Sequence, residues 1–385
     1  MTKSKNKHCK DHALAQILSH LPTFGFAFQL RPDRLEMQKA KNEFLSTGKT
    51  PIFKYPRAKN FKVDSYLHAV VQAKKLISAS GADSDIESLY LKKCDEYMVR
   101  AELVRSVAKS DDRNVTKLSL ELFGSDFDGR AIFETELKSS TVKVLSPDNT
   151  KRIINTDQFG LMVKKMLEHY EIGDWQITYR NTPTMSITHG ESGRRPNIIL
   201  PKDRTMSAGK AARLLTHEIE VHALRMYNAL NGPLHLLRRG TAGYINTEEG
   251  LALYCQQFYS GHAWKRTPGF WDAYACALAR ETDFTETYRT IEKLRGPKEA
   301  WRVCVRVYDG ITDTSKPGVG FFRDHIYRTG FLEIKKAIAQ DDQLFPKLFA
   351  GHFALRDLPA LESLQISNGR QPDFIADQII HEVIG

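Results

Sequence analysis

Apolar residues recur at helical spacing over most of this chain. Leu14, Ile17, Leu18 and Leu21 form a stripe that predicts a helical lead-in over residues 1–40. Pro51-Ile52-Phe53-Lys54-Tyr55-Pro56 is bounded by prolines and reads as an extended segment. From Val63 to about Lys109 the spacing of Leu67, Val70, Val71, Ala73 and Leu76 predicts a helix with one buried face. Gly81-Ala82-Asp83-Ser84 breaks it, and Ile86 to Val107 resumes it. Glu121-Leu122-Phe123-Gly124-Ser125 reads as a helix end followed by a loop. Residues 41–135 therefore form a mostly helical subdomain.

After that the period changes. Ser140 to Leu145 alternates like a strand, and Thr156 to Tyr170 returns to helical spacing. Trp175 to Tyr179, Met185 to Thr188 and Asn197 to Leu200 are short β-rich runs separated by turn residues. Asn197 to Pro201 reads either as an edge strand able to pair with an extended peptide or as an internal strand of the sheet. Ser207 to Leu230 is one long helix, with Ser207 as N-cap and Asn231-Gly232-Pro233 as its stop. A second helix runs from Asn246 to about Tyr259, and Thr267-Pro268 opens a third. Helices continue to the C-terminus, interrupted by a glycine-rich loop from Gly310 to Gly320. The expected class is α+β, with one domain over 136–385 behind the helical N-terminal part.

Composition narrows the class. Hydrophobic residues are 41% and charged residues 26% of the 385, values of an ordinary globular protein. No apolar run approaches the roughly 18 residues of a membrane span, so no membrane partner is expected. The basic N-terminus lacks the apolar core of a signal peptide. The five cysteines are scattered, odd in number and without a CxxC pair, which fits a reducing, cytoplasmic setting. The net charge of +10 reads first as a solubilising basic surface and second as attraction for an acidic partner. No basic cluster interleaves with aromatics, so nothing in the pattern points to nucleic acid.

The chemistry concentrates in two motifs. Thr216-His217-Glu218-Ile219-Glu220-Val221-His222 lies in the long helix, and Thr247-Glu248-Glu249-Gly250-Leu251-Ala252 opens the next. Two neutral imidazoles and one carboxylate make the three-ligand set of a catalytic zinc site. A glutamate beside a ligand is then placed as a general base. The spacing is HExxxH, however, one residue longer than HExxH. On a regular helix five steps turn through about 500°, leaving the second histidine roughly 140° from the first. The motif thus predicts a local π-bulge, which inserts one residue into a turn.

Plainer readings exist for each residue. Glu218 and His222 are four apart and could form a helix-surface pair. Glu249 stands three after Asn246, at capping-box spacing, and acidic residues suit a first helical turn. Taken together the two motifs favour metal, and the histidine–carboxylate donor set favours Zn2+. Glu249 directly precedes Gly250-Leu251-Ala252, as the ligand does in Glu-Gly-Phe-Ala motifs of glutamate-type zinc peptidases, so Glu249 is the expected ligand and Glu248 its supporting neighbour. Glu220 faces another side of the helix, and His235 and His262 are weaker alternative ligands.

The same residues carry a family resemblance. Thr216 to Arg225, then Asn231-Gly232, then Thr247 to Ala252, resemble the microtubule-associated tyrosine carboxypeptidase family and its bacterial relatives, the flavohemoglobin expression-modulating QEGLA motif proteins. Phe53-Lys54-Tyr55, Leu122-Phe123-Gly124, Arg306-Val307-Tyr308-Asp309-Gly310 and Gly320 to Tyr327 are similar to further blocks of that family, so the likeness covers roughly 45–350. The bacterial relatives carry Gln-Glu-Gly-Leu-Ala where this chain has Glu248 first.

The resemblance implies a zincin-like metallopeptidase domain and a zinc-dependent carboxypeptidase that removes a C-terminal aromatic residue from a peptide or protein. In eukaryotic members that residue is the tyrosine ending α-tubulin. Carried over, His217, His222 and Glu249 are the zinc ligands and Glu218 the base. A carboxypeptidase must also hold the terminal carboxylate, for which the planar fork of arginine is suited. Arg225, Arg306 and Arg323 are the candidates, although the spacing of Arg225 from His222 could instead aim it at a structural carboxylate. Tyr308 and Tyr327 are candidate donors to the oxyanion. The competing class is a regulatory or binding protein that keeps a zinc site without peptidase activity.

Overall fold

The computed structural model describes residues 2–22, 24–139, 152–182, 185–188, 195–258, 267–366 and 368–385. By internal contacts the chain forms two compact units, Met1–Ser140 with Arg266–Thr329, and Thr141–Lys265 with Gly330–Gly385. The sequence reading draws a single domain over 136–385. The units run differently because helix Phe270–Ala279 packs on Arg130–Ser139 and on Pro297–Val307.

The first unit is helical. The long helical stretch divides as its break predicts, into Val63–Ser78 and Ser84–Ala108, with Val70, Ile77, Ile86, Leu89 and Val104 buried. The next helix, Asp112–Phe123, ends at Gly124. Ile52 forms a β-bridge with Asp313, and the Tyr55 hydroxyl donates to the carbonyl of Ile311 at 2.9 Å. The Asp112 carboxylate accepts from the backbone of Thr312 (2.7 Å) and Asp313 (3.1 Å), which anchors the loop after Gly310. Thr267-Pro268 does not itself start a helix. Gly269, at φ +73°, turns the chain first, and the helix begins at Phe270.

The second unit combines helices with short strands. Strand β1 (Ile153–Asn155) pairs antiparallel with β5 (Thr205–Ser207). Three further strands form a sheet in the order β2-β4-β3: β2 (Gln176–Arg180) runs parallel to β4 (Asn197–Pro201), and β3 (Ser186–Thr188) antiparallel to it. Asn197 to Pro201 is therefore the central strand, with four of its five residues buried, and the edge-strand reading is corrected. Both backbone edges of β4 are already bonded, and β3 takes an outer place. At three residues each, β1 and β5 are shorter than the four to eight residues over which a sequence alternation is read. The expected strand from Ser140 to Leu145 lies outside the described residues.

Helix Thr156–His169 starts on a full capping box between Asn155 and Gln158, and packs against β4. The long helix over 208–231 starts at Ser207, whose hydroxyl accepts from the Lys210 amide at 3.3 Å. The following helix is Ile245–Cys255, continued by a 3-10 turn over Gln256–Phe258. Asn246 is not its cap. It lies within the first turn and donates to Glu333 at 2.6 Å. Among the described residues no helix is long and apolar enough to cross a membrane.

Candidate metal centre

The long helix changes character in its middle. Ala208–Leu215 is α-helical, Thr216–Ala223 is a π-helix, and Leu224–Asn231 is α-helical again. The π stretch coincides with the HExxxH motif. Its i→i+5 turns bring His222 round over His217, which a straight α-helix could not do. The two imidazole rings stand 4.7 Å apart, centre to centre, and nearly perpendicular.

Helix Ile245–Cys255 packs against this π segment and supplies the third group. One Glu249 oxygen lies 3.4 Å from Nε2 of His217 and 4.0 Å from Nε2 of His222. One donor atom from each of the three residues falls within 4.8 Å of the other two. Ligand atoms around tetrahedral zinc, with bonds of about 2.0–2.2 Å, stand roughly 3.3–3.6 Å apart. The observed set fits a tetrahedral ion after small side-chain movements, and its two imidazoles and carboxylate match zinc chemistry.

The outer ring nitrogens are held too. Nδ1 of His222 is 2.7 Å from Glu248, which turns its Nε2 toward Glu249. Nδ1 of His217 is 2.8 Å from the Gln256 carboxamide. The carboxamide orientation that presents oxygen to this nitrogen leaves Nε2 of His217 with its lone pair for a metal. Glu248 is buried and also forms an ion pair with Arg225, while His352 lies 3.9 Å away. Burial alone would raise the Glu248 pKa, but Arg225, His352 and His222 together hold it well below the usual carboxylate range.

Charge in the site favours a cation. Burial works against a charged His222. The hydrogen bond to Glu248 and the charges of Glu248, Glu249 and Glu218 outweigh it, and the imidazole is pushed up to about 9. Burial likewise opposes ionised Glu249, yet His217 and His222 keep it below its ordinary value. Glu218 is half-buried and lines a cavity of about 190 Å3 with His222, Glu249, Met226, Tyr244 and His352.

Of the remaining expected residues, Arg225 belongs to the second unit and the other four to the first. Arg225 is fully enclosed, with its guanidinium on Glu248 and on the carbonyl of Phe353 at 3.5 Å. Its guanidinium is thus directed at a buried carboxylate, the second of the two placements its spacing allows. Arg306, Tyr308, Arg323 and Tyr327 belong to the first unit and have partners there. Arg306 and Arg323 both pair with the buried Asp324. Tyr308 is fully buried and donates to the carbonyl of Thr282 at 3.3 Å. The Tyr327 ring lies 5.8 Å from the Arg306 guanidinium. His235 sits in a 3-10 turn outside the three-residue cluster, and His262 lies outside the described residues.

Glu220, on the far face of the π segment, is wholly buried. It accepts from the Tyr170 hydroxyl (2.9 Å) and the Ile375 amide (2.8 Å), tying the helix to the C-terminal segment. Sequence reasoning did not find Gln256, Tyr244 or His352. Gln256 lies one turn beyond a motif already read. His352 sits in a loop whose spacing to either motif carries no periodic signal.

The chain is similar to known proteins. The human and mouse MATCAP2 proteins are 31% and 32% identical to the chain over 179 residues, 43% of this chain and 32% of each of theirs. Human microtubule-associated tyrosine carboxypeptidase 1 is 31% identical over 175 residues, 43% of this chain and 36% of its own length. The chain thus spans about a third of the length of the curated relatives it matches. The family model described as microtubule-associated tyrosine carboxypeptidase matches residues 42–381, nearly the whole chain and both motifs, and the chain belongs to that family.

Proposed function

We propose that this protein is a zinc metallocarboxypeptidase with a zincin-like site, acting on peptide or protein C-termini that end in an aromatic residue. The observation that carries the proposal is the π-helical turn that converges His217, His222 and Glu249 beside Glu218. The names of the relatives, tyrosine carboxypeptidases, support the substrate class. Cavity size is consistent with it: roughly 150 Å3 holds a benzene ring, and the cavity here is about 190 Å3.

His217, His222 and Glu249 would hold the metal. When bound, zinc supplies Lewis-acid activation of water and of the scissile carbonyl. Glu218 takes the proton of the attacking water and returns it to the leaving amine, the two tasks of a general base and then acid. Glu248 fixes the His222 ring and is itself fixed by Arg225. Gln256 does the same for His217.

Zinc content by mass spectrometry, and release of the last residue from peptides, test this with wild type and Glu218→Gln. We expect one zinc per chain in both and a loss of about 10²–10⁴-fold in turnover in the variant. A fully folded protein that takes up no zinc, or a variant that cleaves like wild type, refutes the proposal.

A further inference from the structure

A carboxypeptidase pocket must present a positive or donating group to the terminal carboxylate, and Arg225, the candidate on the motif helix, is not among the residues lining this cavity. Arg225 is enclosed behind Glu248. The cavity wall instead carries Glu218, Glu248 and Glu249, three carboxylates that repel an anionic chain end. Among the described residues that line the cavity, the side chains able to bear positive charge are His222 and His352. His222 is committed at Nδ1 to Glu248, and its Nε2 faces Glu249 in the ligand cluster.

His352 is built into place. Its ring stacks on Tyr244 at 5.5 Å, within 8° of parallel. Its backbone amide donates to the carbonyl of Leu237 (3.3 Å), and its carbonyl accepts from the Thr241 amide (3.2 Å). The next bonds run from the Ala354 amide to the Thr241 hydroxyl (2.9 Å) and from the Leu355 amide to the Thr247 hydroxyl (2.8 Å). The loop is thus laced to the helix that bears Glu249. Only 3% of His352 is exposed, yet it lines the cavity that Glu218 enters. His352 is not one of the three residues of the His217–His222–Glu249 cluster.

We propose that His352 contacts the substrate and holds the terminal carboxylate of the residue occupying this cavity. The inference rests on the carboxypeptidase reading above. Tyr244 supplies the flat surface that fixes the imidazole plane, and Glu248 lies 3.9 Å from its Nε2. The carboxylate then sits one residue beyond the bond that Glu218 serves, which limits cleavage to the last residue.

The test separates binding from turnover. Metal-stripped wild type, His352→Phe (which keeps the stacking and the volume) and His352→Gln (which keeps a neutral donor) are titrated by calorimetry with L-tyrosine and with L-tyrosinamide. A charge-assisted hydrogen bond is worth about 1.5–3 kcal/mol, so wild type should prefer the acid by roughly 10–150-fold. The Phe variant should lose this preference and the Gln variant keep part of it. In peptide turnover, His352→Phe should raise KM for free-acid peptides by a similar factor while kcat stays near wild type. Absence of an acid preference in wild type overturns the proposal. So does its survival in folded His352→Phe, or a fall in kcat equal for acid and amide peptides. Lack of any peptide turnover by zinc-loaded wild type would instead refute the parent reading, since the calorimetric arm needs no catalysis.

Discussion

Glu248 and Glu249 are chain neighbours with different tasks. Successive residues on a helix point about 100° apart, so the two carboxylates leave the Ile245–Cys255 helix in different directions. Glu249 turns toward the two imidazoles, and Glu248 turns toward Arg225 and the back of His222. The sequence offered both acids and a reason to prefer Glu249 as the ligand. It also left Arg225 between two roles, which only burial decides. Glu248→Gln keeps the shape and removes the charge, leaving the enclosed guanidinium of Arg225 uncompensated. Breaking a buried pair in this way costs about 3–5 kcal/mol, and a lost support for a histidine ligand weakens metal affinity about 10–100-fold. Urea unfolding and zinc titration of the variant check both numbers. Wild-type stability would mean that the pair is not buried as described.

At the level of elements, two close fits set the site. The first is the π turn over Thr216–Ala223, which the five-residue histidine spacing already demanded. The second is the approach of two helices at glycine. A Cβ built on Gly250 would stand 2.3 Å from the carbonyl carbon of Gly330, and one on Gly330 would stand 2.2 Å from the carbonyl oxygen of Asn246. Backbone meets backbone here, so no side chain can swing away. The glycine of Glu-Gly-Leu-Ala is thus explained by packing of the ligand helix on Ile326–Gln340. Gly250→Ala must push the helices apart and carry Glu249 with them. We expect a loss of about 1–3 kcal/mol, the usual cost of overpacking, together with weaker zinc binding. Thermal melts and zinc titration measure these effects, and a variant matching wild type in both would rule out the close approach.

For the whole molecule, pH reports on a buried neutral histidine. His325 stacks on Phe127 at 4.3 Å, with its ring nitrogens 3.1 Å from the Gly124 carbonyl and 3.3 Å from the Thr329 hydroxyl. Burial pushes its imidazole down to about 4, against the opposing pull of the Gly124 carbonyl and Asp324. In the unfolded chain the ring titrates near 6.5. Between these values the unfolded state binds the extra proton, so stability is full above about pH 6.5 and is lost as pH falls toward 4. The unfolding midpoint of wild type should therefore drop from pH 7 to pH 5, and His325→Gln should show a shallower drop. Equal slopes in urea melts at both pH values would exclude His325 as a contributor.

The amino-acid order alone determined the helical stretches, the break before Ser84, the Ser207 cap and the π demand. All are local, because each rests on residues within a turn or two of one another. It also named the side chains that offer metal-ligand donors, since HExxxH and the Glu-Gly motif carry their donor types. The tertiary structure alone decided that Asn197 to Pro201 is a central strand, that Arg225 is buried, and that 266–329 groups with the N-terminal helices. It alone brought His352, some 130 residues beyond His222, to the wall beside Glu218. Such placements depend on pairing and packing between distant segments, and no periodicity along the chain records them.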